Sequence, residues 1–235
     1  MSRRRIRAIF QKELREYRRN GNIIATMAIF PLIFTLTPLI DMSTATVSTL
    51  RQEHLLLYLL GIPAIVPTIV AAYSVVGERQ QGTLEPVLTT PIRQEEFLLA
   101  KGLTALLPSL VISYAWYGVF VAWVELLGRP TVPSALLRGP ELLGLVLFTP
   151  LVATWSIWIG IAISTRMNDI RAAAQLGAVA SLPTILVSSL IAFGVIHMTL
   201  GLALGLAVVL LALGGLGWRV VSAMFDRERL ITGTR

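Results

Sequence analysis

The chain has 235 residues, of which 55% are hydrophobic and only 14% are charged, and its mean hydropathy is +0.74. Soluble domains carry roughly 45–50% apolar and about 25% charged residues, so this composition excludes an ordinary soluble protein and indicates a membrane protein. The net charge of +7 favours contact with anionic lipid over nucleic acid, because the sequence contains no nucleic-acid-binding motif. The absence of cysteine excludes disulfides, thiolate metal sites and cysteine catalysis.

The first 21 residues form a basic segment in which apolar residues recur at helical spacing. Arg and Lys fill many of the positions between them, and the apolar residues are Ile6, Ile9, Phe10, Leu14 and Tyr17. This pattern predicts an amphipathic helix that lies on the membrane surface, with its basic face attracted to anionic lipid. A disordered basic arm is the alternative interpretation.

Six apolar stretches follow, each long enough to cross a bilayer, whose hydrocarbon core needs ~20 helical residues. They cover residues 22–40, 54–76, 103–124, 142–164, 172–195 and 199–221. The sequence therefore predicts one all-α transmembrane domain over residues 1–235. Its expected parts are a surface helix at 1–21, spans 1 and 2 within 22–76, a coupling segment at 77–101, spans 3 and 4 within 102–164, spans 5 and 6 within 165–221, and a tail at 222–235.

The basic residues predict the orientation of these spans. All but three of the 20 Lys and Arg residues lie on one side, and the exceptions are Arg51, Arg129 and Arg138. By the positive-inside rule, both termini are expected in the cytoplasm. An even number of spans requires the same arrangement. The expected location is the cell (inner) membrane, with the chain crossing it several times.

The middle of every span lacks Asp, Glu, Lys and Arg, whereas proton-coupled carriers need such groups within the membrane. The phosphate-binding motif Gly-x4-Gly-Lys-Ser/Thr is also absent, so any ATP must be hydrolysed by another polypeptide. The histidines, His54 and His197, fall at span ends. We therefore expect no catalytic residue, metal site or cofactor within this chain.

The last span contains Gly201 and Gly205 at the Gly-x-x-x-Gly spacing that permits close approach of two helices. Two interpretations are open, a contact within the chain and a contact between two chains. The contact within the chain is favoured.

Residues 77–102, between the second and third spans, read GERQQGTLEPVLTTPIRQEEFLLAKG. Thr83 is a good N-cap, and the short helix that it would start places Leu84, Val87 and Leu88 on one face. Isolated helices shorter than ~12–15 residues are marginal in water, so we expect this helix to dock on another protein. An ordinary cytoplasmic loop is the alternative.

This segment resembles the signature of ATP-binding-cassette (ABC) permeases of the second type, with a Glu, then Gly-Thr-Leu-Glu, a hydrophobic pair, Thr-Pro and Lys-Gly. These six-span subunits pair and dock on two cytoplasmic ATPase subunits through a coupling helix. Residues 11–21 and 167–177 are similar to the family's surface helix and second cytoplasmic turn. The resemblance implies an ATPase contact at Glu78, Gly82, Thr83, Leu84, Glu85, Val87 and Leu88, with a secondary contact at Asp169 and Arg171.

The resemblance implies a permease subunit of an ATP-driven exporter, whose partners are two copies of an ATPase that hold ATP and magnesium, and a second permease chain, itself or related. In that family the first, second and fifth spans line the path, which here offers Thr35, Tyr58, Tyr73, Ser181 and Ser188. Walls without charge favour an apolar or amphipathic substrate such as a lipid, glycolipid or hydrophobic drug. The alternative is a membrane scaffold or assembly factor that transports nothing.

Overall fold

The computed structural model describes residues 3–19, 21–80, 94–128 and 131–224. Every regular element among these residues is a helix. In chain order they are α1 (Arg3–Arg19), α2 (Gly21–Thr44), α3 (Val47–Gln52), a 3-10 helix (Leu55–Leu60), α4 (Gly61–Gln80), α5 (Gln94–Leu127), α6 (Val132–Leu136), α7 (Gly139–Arg166), α8 (Ile170–Ala192) and α9 (Leu200–Met224).

Six segments are long and apolar enough to cross a membrane, which confirms the predicted all-α fold with six spans. They are Met27–Thr44, Leu55–Glu78, Glu95–Leu126, Gly139–Arg166, Ile170–Ala192 and Leu200–Met224. The predicted surface helix is present as α1. The third span begins earlier than expected, because α5 starts at Gln94 and its first turn carries Glu95 and Glu96, which suit a helix N-terminus.

The connections at the far end contain short helices that the sequence pattern did not indicate. The sequence predicts a second span that begins at His54, but Leu55–Leu60 form the 3-10 helix and the α-helix begins only at Gly61. Helix α3 is only six residues long and is capped by Thr46, whose hydroxyl accepts a hydrogen bond from the Thr49 amide at 3.3 Å. Helix α3 packs against α6 at this end of the bundle.

Helix α4 is the centre of the bundle. In the apolar stretch of the span that includes most of α4, 94% of the residues are buried within the chain, and α4 packs against α2, α5, α7 and α8. The closest approach is at Gly160 of α7, where an added Cβ would lie 2.3 Å from the carbonyl oxygen of Thr68. On the other side Gly177 of α8 is also tight, since a Cβ there would lie 3.0 Å from Thr68 Cγ2. Small residues thus let three backbones meet around Thr68.

Hydroxyl groups join α4 to α7 where the backbones are close. The Thr68 hydroxyl donates to the carbonyl of Ser156 at 3.1 Å. About two turns further along α7, the Ser164 hydroxyl donates to the carbonyl of Ala72 at 2.7 Å and accepts from the amide of Val76 at 3.0 Å. Such interhelical bonds contribute about 0.6 kcal/mol on average in membranes, so together they stabilise this pair measurably.

Helix α9 lies at the edge of the bundle and packs mainly on α7. The contact is made by Trp158 and Trp218, whose rings meet edge to face at 5.2 Å, and by Gly217, whose added Cβ would lie 2.7 Å from Trp158 Cβ. The predicted contact within the chain through Gly201 and Gly205 is wrong, because both residues are exposed and nothing in the described chain lies within 4 Å of an added Cβ.

Gly160→Ala tests the close approach of α4 and α7. The new methyl group must displace a backbone carbonyl, and such overpacking costs about 1–3 kcal/mol. We expect a clear fall in melting temperature, measured by size-exclusion chromatography of heated detergent samples. Gly205→Ala is the matched control, and it should be neutral or stabilise by up to about 1 kcal/mol. Equal melting temperatures for both variants would contradict the close approach.

Candidate functional site at the coupling end of the bundle

One end of the bundle brings together α1, the last turn of α4, the first turns of α5 and the turn between α7 and α8. We name it the coupling end, because α4 and α5 flank the predicted coupling segment. The predicted contact residues of that segment lie outside the described residues; they are Gly82, Thr83, Leu84, Glu85, Val87 and Leu88. The described residues on either side of the segment in the chain belong to α4 and α5.

Four charged side chains form an ion cluster at this end, and three of them are buried. The Lys101 ammonium of α5 lies 2.6 Å from Glu13 Oε1 of α1 and 3.1 Å from Glu78 Oε2 of α4. Lys12 of α1 lies 3.0 Å from Glu78 Oε1. The cluster therefore joins three helices.

Burial makes this cluster energetically sensitive. The side chains of Lys101, Glu13 and Glu78 are only 0%, 2% and 4% exposed. A buried ion is costly unless it is paired and hydrogen-bonded, so losing one member leaves an uncompensated charge. The Lys101 ammonium also lies 5.4 Å from the ring centroid of Phe97, one turn earlier on α5. The cluster thus fixes how α1 sits against α4 and α5.

Helix α1 packs on the bundle and also carries exposed arginines. It packs against α5 and α2, Tyr17 is buried, and Ile9 is half-buried against the core. Arg7, Arg15 and Arg19 are exposed and recur at spacings of four or eight residues, which places them on one face. The predicted amphipathic helix therefore combines a protein-facing side with an exposed basic side.

The turn between α7 and α8 also reaches the coupling end. The Gln80 side chain, at the last residue of α4, donates to the backbone carbonyl of Asn168 at 3.0 Å. Asp169 Oδ2 accepts from the amide of Ala172 at 2.9 Å and so caps α8. Asp169 and Arg171, the predicted secondary contact, are both exposed. The structure thus places the turn between α7 and α8 beside the last residue of α4.

Glu78, which is predicted to contact the ATPase, is paired within the chain. Its carboxylate faces inward, where Lys12 and Lys101 bind both of its oxygens. The sequence contains a signal for a buried acid at this end. Glu13 shares a helical face with Ile9 and Tyr17, which places an acid within an apolar stripe. Within the described residues Glu78 holds the end of α4 in place, and its contact with an ATPase stays a prediction.

Two of the hydroxyls predicted to line a path are bonded within the chain. The Thr35 hydroxyl donates to the carbonyl of Pro31 at 2.7 Å and accepts from the indole N–H of Trp116. The Ser181 hydroxyl lies 3.0 Å from the carbonyl of Ala64, so it links α8 to α4. Both residues are buried and hold helices together.

The other three predicted path residues are scattered along the bundle. Tyr58 lies at the end opposite the coupling end, with its ring 5.6 Å from that of Phe34. Tyr73 is half-buried against the core two turns before the coupling end. The Ser188 hydroxyl donates to the carbonyl of Ile185 in its own helix at 2.9 Å. The structure does not gather the five residues into one site.

Most of the chain matches a known family. Residues 7–213 match the family model of ABC-2 family transporter proteins. The chain belongs to this family. It is therefore a multi-pass membrane subunit of an ABC transporter, and the family associates with an ABC ATPase component. The search of curated proteins gave no match.

The match covers every described element of the coupling end of this ABC-2 permease. It begins within α1, includes Lys12, Glu13, Glu78 and Lys101, and continues through the α7–α8 turn into α9. The ion cluster and the bond from Gln80 therefore lie within the part of the chain that identifies the family.

Lys101→Met tests the ion cluster. Removing one partner of a buried ion pair costs about 3–5 kcal/mol, because carboxylates are left without their cation. We expect a large loss of thermal stability in detergent. The double variant Lys101→Met with Glu13→Gln keeps the Lys12–Glu78 pair and should recover much of it. Arg15→Met, on the exposed side of α1, should change stability by no more than about 0.5 kcal/mol. Losses that simply add in the double variant would contradict the coupling.

Proposed function

We propose that this chain is the membrane-spanning subunit of an ATP-driven exporter that works as a pair of permease chains, itself or related, on two ATPase subunits. The observation that carries the proposal is the set of contacts at the coupling end. The ion cluster and the Gln80–Asn168 bond hold both helix ends that flank the coupling segment. In this proposal the coupling end and both termini face the cytoplasm of a cell whose (inner) membrane contains the six spans.

Helix α4 gives a physical route from the coupling end to the rest of the bundle. It packs against four other spans, and its contacts with α7 and α8 leave no room even for a methyl group at Gly160. Close-packed protein interiors have low compressibility and transmit displacement. A displacement at Gln80 therefore moves α2, α5, α7 and α8 together, which is what coupling of ATP hydrolysis to transport requires.

The ATPase contact is proposed at the segment between α4 and α5. Leu84, Val87 and Leu88 supply an apolar face, Glu85 its charged rim, and Gly82 with Thr83 the start of the helix. Burying each large apolar side chain contributes about 1.5–3 kcal/mol. Asp169 and Arg171 supply the second contact with the ATPase. Glu78 holds the end of α4, next to the first contact. ATP and magnesium are held by the ATPase, and the permease has no catalytic role.

Leu88→Arg tests the docking role. An unpaired charge buried in an interface should weaken ATPase binding at least about tenfold, measured by pull-down in mild detergent of the ATPase that co-purifies with the unaltered chain. Glu85→Lys should have a milder effect, as expected for a solvent-exposed charge. Leu126→Arg places the same charge on an exposed position at the opposite end of α5 and should leave binding unchanged. Normal ATPase binding and transport by Leu88→Arg would reject the contact.

The proposed substrate is apolar or amphipathic, such as a lipid, a glycolipid or a hydrophobic drug. The middle of each span lacks acidic and basic residues, and the hydroxyls of Thr35, Ser181 and Ser188 are bonded to backbone carbonyls. A multiply charged solute would lose its hydration with few groups to replace it, which costs many kcal/mol. An amphipathic molecule keeps its polar part in water or at the headgroups and avoids most of this cost.

The substrate class is tested by ATPase stimulation of the reconstituted complex. Amphipathic compounds in a graded panel should raise the ATPase rate several-fold, whereas inorganic ions and small sugars should not. The same panel applied to the ATPase subunit alone controls for direct effects on hydrolysis. Stimulation by hydrophilic ions only would reject the apolar path.

A further inference from the structure

A cavity of about 290 Å³ lies in the half of the bundle away from the coupling end. Four elements enclose it. Leu57 of the 3-10 helix and Phe148 of α7 form its inner wall, Val187 of α8 forms one side, and Val209 of α9 forms the other. The consecutive helices α8 and α9 thus leave a space between them at this depth.

The chemistry of the lining selects an apolar guest. The polar groups of the cavity lining are the hydroxyls of Thr184 and Ser188 and the indole of Trp155. None of the residues that line the cavity is charged. The Ser188 hydroxyl already donates to its own helix, so it does not require a water partner. An apolar cavity of 150 Å³ is large enough to bind benzene in an engineered protein, and small-molecule pockets begin near ~300 Å³. The volume therefore suits a segment of one hydrocarbon chain.

The surroundings of the cavity indicate where the guest comes from. Val187 and Val209 line the cavity and are also exposed, and their neighbours Leu186 and Val208 are exposed apolar residues. Apolar side chains exposed on a membrane-spanning helix of this single chain are the ones that bilayer hydrocarbon can reach. The cavity therefore opens towards lipid chains, which are the molecules present there at highest concentration.

A charged group lies at the end of the cavity where lipid headgroups would be. The His54 amide donates to the carbonyl of Ala192 at 2.8 Å, one residue beyond the α8 residues that line the cavity. His54 Nδ1 lies 3.1 Å from Glu141 Oε1, which also pairs with Arg138. The side chains of His54 and Arg138 are partly exposed. An apolar cavity below a charged group matches the chemistry of an amphipathic lipid.

We infer that this cavity is a lipid site, which holds one hydrocarbon chain of a bilayer phospholipid with its headgroup beside His54, Glu141 and Arg138. The hydrocarbon chain of the lipid fills the space between α8 and α9. It adds contacts to α9, which otherwise packs mainly on α7. This binding belongs to the permease chain itself and does not require ATP-driven export.

The test is photolabelling of the full-length chain in vesicles of phosphatidylcholine that carries a diazirine in one fatty chain. After irradiation, mass spectrometry maps the adducts. We expect residues 183–191 and 206–213 to be labelled at least about tenfold more than Val111 and Val119, which are exposed on α5 and border no such cavity. Even labelling of all exposed apolar faces would overturn the inference.

Two variants of α9 sharpen the result. Val209→Trp fills the cavity and should lower labelling of α8 at least about tenfold. Val208→Trp places the same ring on the neighbouring residue, outside the cavity lining, and should leave labelling of α8 unchanged. Equal labelling of α8 in both variants would overturn the inference. The map in the unaltered chain stands if a variant fails to fold.

A second probe separates phospholipid from other amphipathic molecules. A free fatty acid that carries the same diazirine should label residues 183–191 more weakly than phosphatidylcholine at equal chain concentration. Labelling by the fatty acid with none by the phospholipid would overturn the assignment to a bilayer phospholipid. Because the ATPase is absent from these vesicles, failure here leaves the proposed export function open to its own tests.

Discussion

The fold depends on the close packing of α4 with α7 and α8. Helices in a bilayer gain nothing from leaving water, because lipid chains are as apolar as leucine, so close packing and hydrogen bonds must hold them together. Gly160 and Gly177 let backbones approach Thr68, and hydroxyls then reach carbonyls on the neighbouring helix. With α4 fixed in this way, the other spans take their places around it, and α9 alone packs chiefly on α7.

Charge imposes the second constraint, at the coupling end. A buried lysine in the second turn of α5 requires carboxylates, and they come from two other helices, Glu13 on α1 and Glu78 on α4. This requirement ties a surface helix to two spans. It also explains why α1 docks on the protein although its exposed arginines are suited to anionic lipid.

The sequence predicts the six spans and α1 well, because apolar length and helical spacing are local properties of the chain. It does not predict partners. Gly201 and Gly205 have the spacing of a helix contact but face no helix, whereas Gly160 makes the closest approach without that spacing. Lys101 and Glu13 are 88 residues apart, so no local pattern pairs them. The ion pairs of Glu78 could not be predicted for the same reason, since the sequence shows its charge and not its neighbours.

The position of α4 has a consequence for biogenesis. Its main partners, α7 and α8, follow it in the chain, so α4 enters the membrane before either of them has been synthesised. Until α7 is inserted, the Thr68 hydroxyl lies in lipid and needs another hydrogen-bond acceptor. It has one in its own helix, because it lies 2.9 Å from the carbonyl of Ala64. When α7 arrives, the Ser156 carbonyl is within reach of the same hydroxyl at 3.1 Å. The residue at the centre of the bundle is thus suited both to insertion alone and to assembly afterwards.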